Sequence, residues 1–322
     1  MANPRTRKAA RVASRRQRSK IAANQRNAAS PLKIILSRKG FDSGNGGMPS
    51  PIFPDRRMLS LPIRSNSPET LSPHCYGDLS FDGESVANVL AQLSDGRLGA
   101  QERVHNDPDL DAGAMPRLRG WKPMLGQVGS AQTHLERNGV CPGDLFLFFG
   151  WFREIEKFND RWQFRHSAPD VHVIFGWLQI ERIAHPDTEL SEELPWASYH
   201  PHFHGNWPTN NALYISTDHL ILGGKKLATA GGGTFRDFNS ARKLTAPGRT
   251  RSWWELPVAF FPDGGKTPLS YHSNMDRWHN ENGHVLLKSA ARGQEFVLDT
   301  KEYPSVTDWV GDLFDDPSYK SK

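Results

Sequence analysis

The stretch Tyr199-His200-Pro201-His202-Phe203-His204-Gly205-Asn206 carries the residue types of a metal site. On an extended backbone, side chains two apart point the same way, roughly 6.6 Å apart at about 3.3 Å per residue, so His200, His202 and His204 could share one face. Two imidazoles at that spacing can grip one metal ion. Pro201 has no backbone N–H, which assigns the segment to a sheet edge or an extended loop. The competing reading is a run of solvated histidines. A second stretch, His105-Asn106-Asp107-Pro108-Asp109-Leu110-Asp111, combines H-x-D with D-x-D. Its alternating carboxylates imitate a calcium-binding loop, but counting from Asp107 puts Ala112 where glycine is required and Leu118 where the bidentate glutamate belongs. A mixed imidazole and carboxylate set suits iron(II), manganese or zinc instead, against the plainer reading of a polar loop.

Two more carboxylates join this pool. Asp42 lies past the end of the strand Lys33-Ile34-Ile35-Leu36-Ser37, among glycines that let a ligand approach closely; capping of its own turn is the alternative. Glu295 opens Glu295-Phe296-Val297-Leu298-Asp299-Thr300-Lys301, where Glu295 with Asp299-x-Lys301 gives the minimal arrangement of a magnesium-dependent nuclease. A solvated strand face competes with that. Two phosphate-loop imitations fail. Gly40 to Gly47 lacks the G-x-G-x-x-G spacing and is followed by Pro49 and Pro51, and Gly264-Gly265-Lys266-Thr267 has Phe260 in place of the first glycine and Pro268 after the threonine. Arg249-Thr250-Arg251-Ser252-Trp253-Trp254 and Ser270-Tyr271-His272-Ser273-Asn274 could stack and hydrogen-bond a base, although ten tryptophans also suit a well-filled core.

The elements that must position these groups follow from periodicity. Residues 58 to 63 alternate as a strand, and 64 to 80 read as loop. Val86, Val89, Leu90 and Leu93 form one helical stripe, with Asp82 as the cap and Gly96 at the end. A second helix runs from about Ser130 to Asn138 and stops at Gly139. Asp144 to Phe152 and Val171 to Ile180 are apolar enough to be central strands buried on both faces. Further strands are expected at Asn211 to Ser216, Leu256 to Phe261, His284 to Lys288 and Glu295 to Leu298. A last helix begins at Ser305, with Asp308 completing a weak capping box. Many strands with few, unevenly interspersed helices predict one α+β domain, residues 31–315, around a mixed, largely buried β-sheet with flanking helices.

Composition narrows the class. The 322 residues are 37 % hydrophobic, enough for a real core, and the longest apolar run, Leu145 to Phe152, is far short of a membrane span. Cys75 and Cys141 cannot make a disulfide framework, and no secretory signal precedes the first strand, which points to a reducing, cytoplasmic setting. The ligand set of the zinc nucleobase deaminases is absent. Of the 40 Lys and Arg, nine fall in residues 1–30 with no acidic partner, leaving 31 against 35 Asp and Glu elsewhere. The body is therefore mildly acidic. Residues 1–30 are too poor in apolar groups to order by burial and read as a disordered basic tail, with a short second tail at 316–322. The basic tail fits a nucleic acid contact, a transit-like leader or a mis-assigned start codon.

Several of these motifs, in this order, resemble one family. Lys33 to Ser43 with Gly47-x-Pro49-Ser50-Pro51, His105-x-Asp107-Pro108-Asp109-Leu110, Gly143 to Phe152, His172 to Gln179 and His200-Pro201-His202 are similar to the nucleotide-modification-associated domain family, third type, over roughly residues 33 to 303. Asn106 stands where an apolar or small residue is expected, and Arg56 where a glycine is. The resemblance implies chemistry linked to nucleotides in phage or bacterial DNA-modification systems and leaves the reaction open. Together the readings predict a metal-dependent enzyme, a non-haem iron oxygenase-like protein with Asp42, His105, Asp107, Asp109, His200, His202, His204 and Glu295 as the ligand pool. Eight candidates imply either two or more ions or several false members; the reading favours a multinuclear iron site (Fe2+/Fe3+), with manganese or zinc as alternatives. The substrate would be a nucleotide, a nucleobase or a small metabolite. The rivals are the magnesium nuclease, a non-catalytic nucleic-acid-binding component and a structural partner without metal.

Overall fold

A computed structural model describes residues 31–65, 72–281 and 283–315. The expected disorder of residues 1–30, the tail at 316–322 and part of the loop read at 64–80 lie outside the described residues. The backbone follows from two long apolar strands. In chain order the elements used below are β1 (Lys33–Arg38), β2 (Ser50–Ile52), β3 (Ile63–Arg64), α1 (Val86–Leu93), β4 (Val104–His105), β5 (Met124–Gln127) and α2 (Gly129–Arg137). They continue with β6 (Leu145–Phe158), β7 (Arg161–Phe164), β8 (Val171–Ala184), α3 (Thr188–Glu193), β9 (Ala212–Ser216) and β10 (Gly232–Thr234). The last are β11 (Trp253–Pro257), β12 (Trp278–Glu281), β13 (His284–Lys288), β14 (Glu295–Asp299) and α4 (Val306–Asp312).

The main sheet runs β14-β1-β6-β8-β9-β5, with β2 and β7 also on β6 and β10 also on β8. β1 pairs parallel with β6 and antiparallel with β14, and the pairings of β6 with β8, β8 with β9 and β9 with β5 are antiparallel. The sheet is therefore mixed, and the chain is one α+β domain, as composition and element order predict. β6 and β8 are buried on both faces over Leu145–Phe149 and Val171–Ile180, so their near-continuous apolar runs match a central position. Aromatic rings fill the space around them: Phe146, Phe148, Phe149 and Trp254 are fully buried, each such side chain contributing roughly 1.5–3 kcal/mol by leaving water. A second core under α1 gathers Phe41, Phe53, Leu61, Tyr76 and Leu90.

Local signals shift some boundaries. Asp82 does not cap α1; it sits at φ +47° in a hairpin turn, and Ser85 is the cap, its side chain accepting from the Asn88 N–H at 3.4 Å. A carboxylate beside Gly83 suits that turn. Residues 58–63 do not form a continuous strand: Met58 makes a single bridge to Ile52, and only Ile63–Arg64 is a strand, paired with β4. The strand expected at Leu256–Phe261 begins earlier, at Trp253, and gives way to a 3-10 turn at Val258–Phe260. Gly139, at φ +61°, ends the second helix as expected.

The sheet curls until its two ends meet. Gln127, at the end of edge strand β5, donates through Nε2 to Glu295 Oε1 on the opposite edge strand β14, at 2.6 Å. The same Glu295 oxygen pairs with Lys39 Nζ at 2.9 Å, and both side chains are largely withdrawn from water. α2 leaves directly from this seam and inserts Leu135 into the core. Removing one partner of a buried ion pair leaves the other uncompensated, which costs about 3–5 kcal/mol, whereas replacing both is much milder. We therefore expect Glu295→Leu to lower the urea unfolding midpoint more than the double variant Lys39→Met/Glu295→Leu. An equal or smaller loss in the single variant would show that the seam carries no buried charge pair.

Candidate metal centre

Asp107 is the hub. Its segment is held by Asp109, whose backbone exchanges hydrogen bonds with Met124 at the start of β5, at 2.9 and 3.0 Å. Two residues along β5, the Gly126 N–H donates to Asp107 Oδ1 at 2.8 Å. His105, at the end of β4, places Nε2 3.5 Å from Asp107 Oδ2. His202 Nε2 lies 3.4 Å from the same oxygen, and His200 Nε2 lies 3.5 Å from Oδ1. One donor atom each from His105, Asp107 and His202 falls within 4.8 Å of the others. Two imidazoles and one carboxylate converging on one point is the donor set of a divalent transition ion.

The histidine segment reaches this point by a route its spacing did not predict. Pro201–Phe203 is a 3-10 turn rather than an extended strand, with Pro201 at its first position, where a missing N–H costs nothing. The turn brings His200 and His202 to Asp107 and directs His204 elsewhere, its Nε2 bonded to the Ser198 carbonyl at 2.9 Å. Asn211 fixes the ring of His202. Its Oδ1 is 2.5 Å from His202 Nδ1, and its Nδ2 donates to the His202 carbonyl at 2.9 Å. A proton on Nδ1, directed at Asn211 Oδ1, would leave the Nε2 lone pair free for a metal; a proton on both ring nitrogens would direct Nε2–H at Asp107 instead. Trp207 stacks on the same ring at 4.4 Å. His200 Nε2 is buried with no hydrogen-bond partner nearer than Asp107.

The electrostatics favour a cation. Burial alone would raise the pKa of Asp107, but the imidazoles of His105, His200 and His202, 3.4 to 3.5 Å away, together outweigh it and hold the carboxyl well below its ordinary value. Burial lowers the pKa of His200, against the pull of Asp107, so that ring stays neutral near neutral pH. The centre therefore holds an ionised carboxylate largely out of water beside a neutral imidazole.

Of the eight side chains in the expected pool, three gather and His200 adjoins them. The other four have partners elsewhere, Glu295 through Oε1 alone, its buried Oε2 making no hydrogen bond. Asp109 is buried, and its two oxygens accept from Arg117 at 2.6 and 2.7 Å, as well as from Tyr199 and Asn106. Asp42 Oδ1 accepts from Gly44 N and Asn45 N at 2.8 and 2.7 Å, closing its own turn. His204 and Glu295 have the partners given above. Glu295, Asp299 and Lys301 do not form a common centre: Asp299 Oδ1 accepts from the Lys301 N–H, and the Lys301 side chain is exposed.

Asp42 nevertheless lines the cavity into which the cluster opens. This cavity of about 250 Å³ is walled by His105, Asp107 and His202 on one side and by Arg38, Lys39, Arg64, Gln127 and Trp207 around them. Gly126, Asn211, Trp207 and Lys39 are the participants that sequence reading misses. Gly126 had one detectable signal, a glycine directly after the apolar pair Met124-Leu125, and within a strand such a glycine marks close approach by another group. A Cβ there would lie 2.2 Å from the His202 ring.

Residues 33–299 match the family model described as nucleotide modification associated domain 3, in agreement with the resemblance seen in the motifs. No curated protein and no solved structure gives a match. Among the described residues no helix is long and apolar enough to cross a membrane. Because a methyl group at position 126 must displace the His202 ring, Gly126→Ala is expected to destabilise the fold by about 1–3 kcal/mol, as overpacking does. Urea unfolding measures this, and an unchanged midpoint would mean that the ring is not seated against β5.

Proposed function

The chain belongs to the nucleotide modification associated domain 3 family, and from that premise we propose that it is a metal-dependent enzyme acting on a nucleotide or nucleobase, with iron as the metal. The observation that carries the reading is the convergence of His105, Asp107 and His202 donor atoms within 4.8 Å of one another. A set of two histidines and one carboxylate with positions left open is the arrangement of non-haem iron(II) oxygenases; manganese and zinc accept the same donors. The fit is supported by Asn211 Oδ1 set against His202 Nδ1, by the Asp107 carboxyl held below its ordinary value, and by the buried His200 Nε2, which makes no hydrogen bond and lies 3.5 Å from Asp107. An Fe2+ held there would supply redox chemistry, with coordination positions open to substrate and co-substrate. One ion satisfies this geometry.

The chain's own residues have separable tasks. Asn211 and Trp207 fix the plane of the His202 ring. Gly126 N–H and His200 orient the Asp107 carboxylate. Lys39, steadied by Glu295, and Arg38 and Arg64 on the cavity wall present positive charge to an anionic substrate. The cavity volume, about 250 Å³, falls below the roughly 300–1,000 Å³ that encloses a drug-sized ligand. It therefore suits a single base or a small fragment.

Protein purified anaerobically and reconstituted with Fe2+ is expected to retain about one iron per chain by elemental analysis. His202→Ala should lose most of it, and Asn211→Leu should bind about 10–100-fold more weakly, as removal of an outer partner does. His166→Ala, at an exposed site, should retain it. Equal iron in His202→Ala and His166→Ala, or none in wild type, would remove the metal from this reading.

A further inference from the structure

Beside the metal-ligand cavity lies a larger one, of about 780 Å³, which none of the chemistry above uses. Arg38, Arg249, Arg251 and Lys288 line it, and among the described residues Asp42 and Asp170 are the carboxylates on its wall. We propose that this cavity binds the phosphodiester backbone of a single nucleic-acid strand whose reacting base enters the smaller cavity. The inference deepens the proposed function and rests on it for the identity of the reacting group.

Three observations carry it. First, the cations outnumber the carboxylates: Asp42 already has one oxygen engaged in its own turn, and Asp170 is shared between Arg251, at 3.8 Å, and Arg153, at 3.9 Å. Burial lowers the pKa of the Arg38 guanidinium, Asp42 opposes the shift, and the like charge of Arg251 adds to it. Two neighbouring guanidinium groups in one concavity are a site that an anion relieves. Second, the cations are held on aromatic faces. The Arg251 guanidinium sits 4.0 Å from the centre of the Trp151 ring, which also lines the cavity, and Lys288 Nζ sits 5.0 Å from the centre of Trp253. Charge combined with flat stacking surface is how proteins track a single strand. Third, Arg38 and Asp42 line both cavities, so the two flank one short segment of chain. A free nucleotide in the smaller cavity would leave the other cations without phosphates, whereas a strand supplies flanking phosphates at once.

The test uses the full chain and a fluorescein-labelled single-stranded 12-mer DNA, followed by anisotropy across a sodium chloride series. Basic residues 1–30 contribute equally to every protein compared. In Arg249→Ala/Lys288→Ala, the slope of log affinity against log salt should fall in magnitude by about 1.4, at about 0.7 per phosphate contact on a single strand. Should the double variant unfold at lower urea, Arg249→Gln, a change at an exposed side chain, gives the same reading with a fall of about 0.7. An unchanged slope overturns the proposal. So does displacement of the 12-mer by a mononucleotide at equal concentration of binding species, which would assign the cavity to free nucleotides. Asp107→Asn separates this from the metal reading: it should lose iron and keep the wild-type slope. Wild type that holds no iron yet shows the expected slope change overturns the metal reading alone.

Discussion

A negative charge withdrawn from water at Asp107 is the constraint on which the rest depends. Isolated burial of a carboxylate is costly enough that such groups normally neutralise. Here one backbone N–H and three imidazoles from two distant segments keep it ionised. A group with a depressed pKa contributes stability that is present above its unfolded value and is lost as pH falls through the folded one. Asp107 is therefore ionised throughout the neutral range. Each neighbouring feature serves that geometry. The Asp109–Met124 bridge sets the segment against β5, the bare Cα of Gly126 admits the His202 ring, and the 3-10 turn at Pro201 delivers two histidines to one carboxylate.

Curvature of the sheet determines what surrounds this charge. Because β5 and β14 meet through Gln127 and Glu295, residues from opposite ends of the sheet become neighbours at one seam. Lys39 is drawn into the cavity wall there, its charge matched on one side by Glu295 and directed to the cavity on the other. A flat sheet of the same strand order would separate these side chains by its full width, at about 4.8 Å per strand. The closure also gives α2 its place, since the helix starts two residues after Gln127 and packs Leu135 inward.

How much of this was legible in sequence depended on whether the signal was local. The buried runs of β6 and β8 were plain, because a strand covered on both faces has no polar alternation to misread. H-x-D at 105–107 and His200-x-His202 were legible as ligand types, and the family resemblance fixed their order along the chain. The assignments of Asp109, Asp42, His204 and Glu295 rested on residue type and local position: D-x-D spacing, a strand end among glycines, the His-x-His alternation and a strand triplet. Each has a partner supplied by tertiary or turn geometry: Arg117 for Asp109, its own loop for Asp42, a carbonyl for His204, and Lys39 with Gln127 for Glu295. Asn211 was equally hidden, as an asparagine opening a strand gives no sign that it holds a histidine nine residues earlier. Arg56 is the reverse case. A glycine is expected there, and the position has φ +74°, a conformation that favours glycine; the arginine holds it while donating to the Phe238 carbonyl at 2.7 and 3.1 Å.

Net charge is a poor guide to what this surface attracts. Outside residues 1–30 the 35 acidic groups exceed the 31 basic ones, yet Arg38, Lys39, Arg64, Arg249, Arg251 and Lys288 all line the two adjoining cavities. At physiological ionic strength charges beyond about 8 Å are screened, and concave low-dielectric walls concentrate the field of those within reach. An anion at either cavity is therefore governed by these local cations and hardly at all by the acidic exterior. The same short range means that the Asp107 carboxylate and the positive walls around it can coexist.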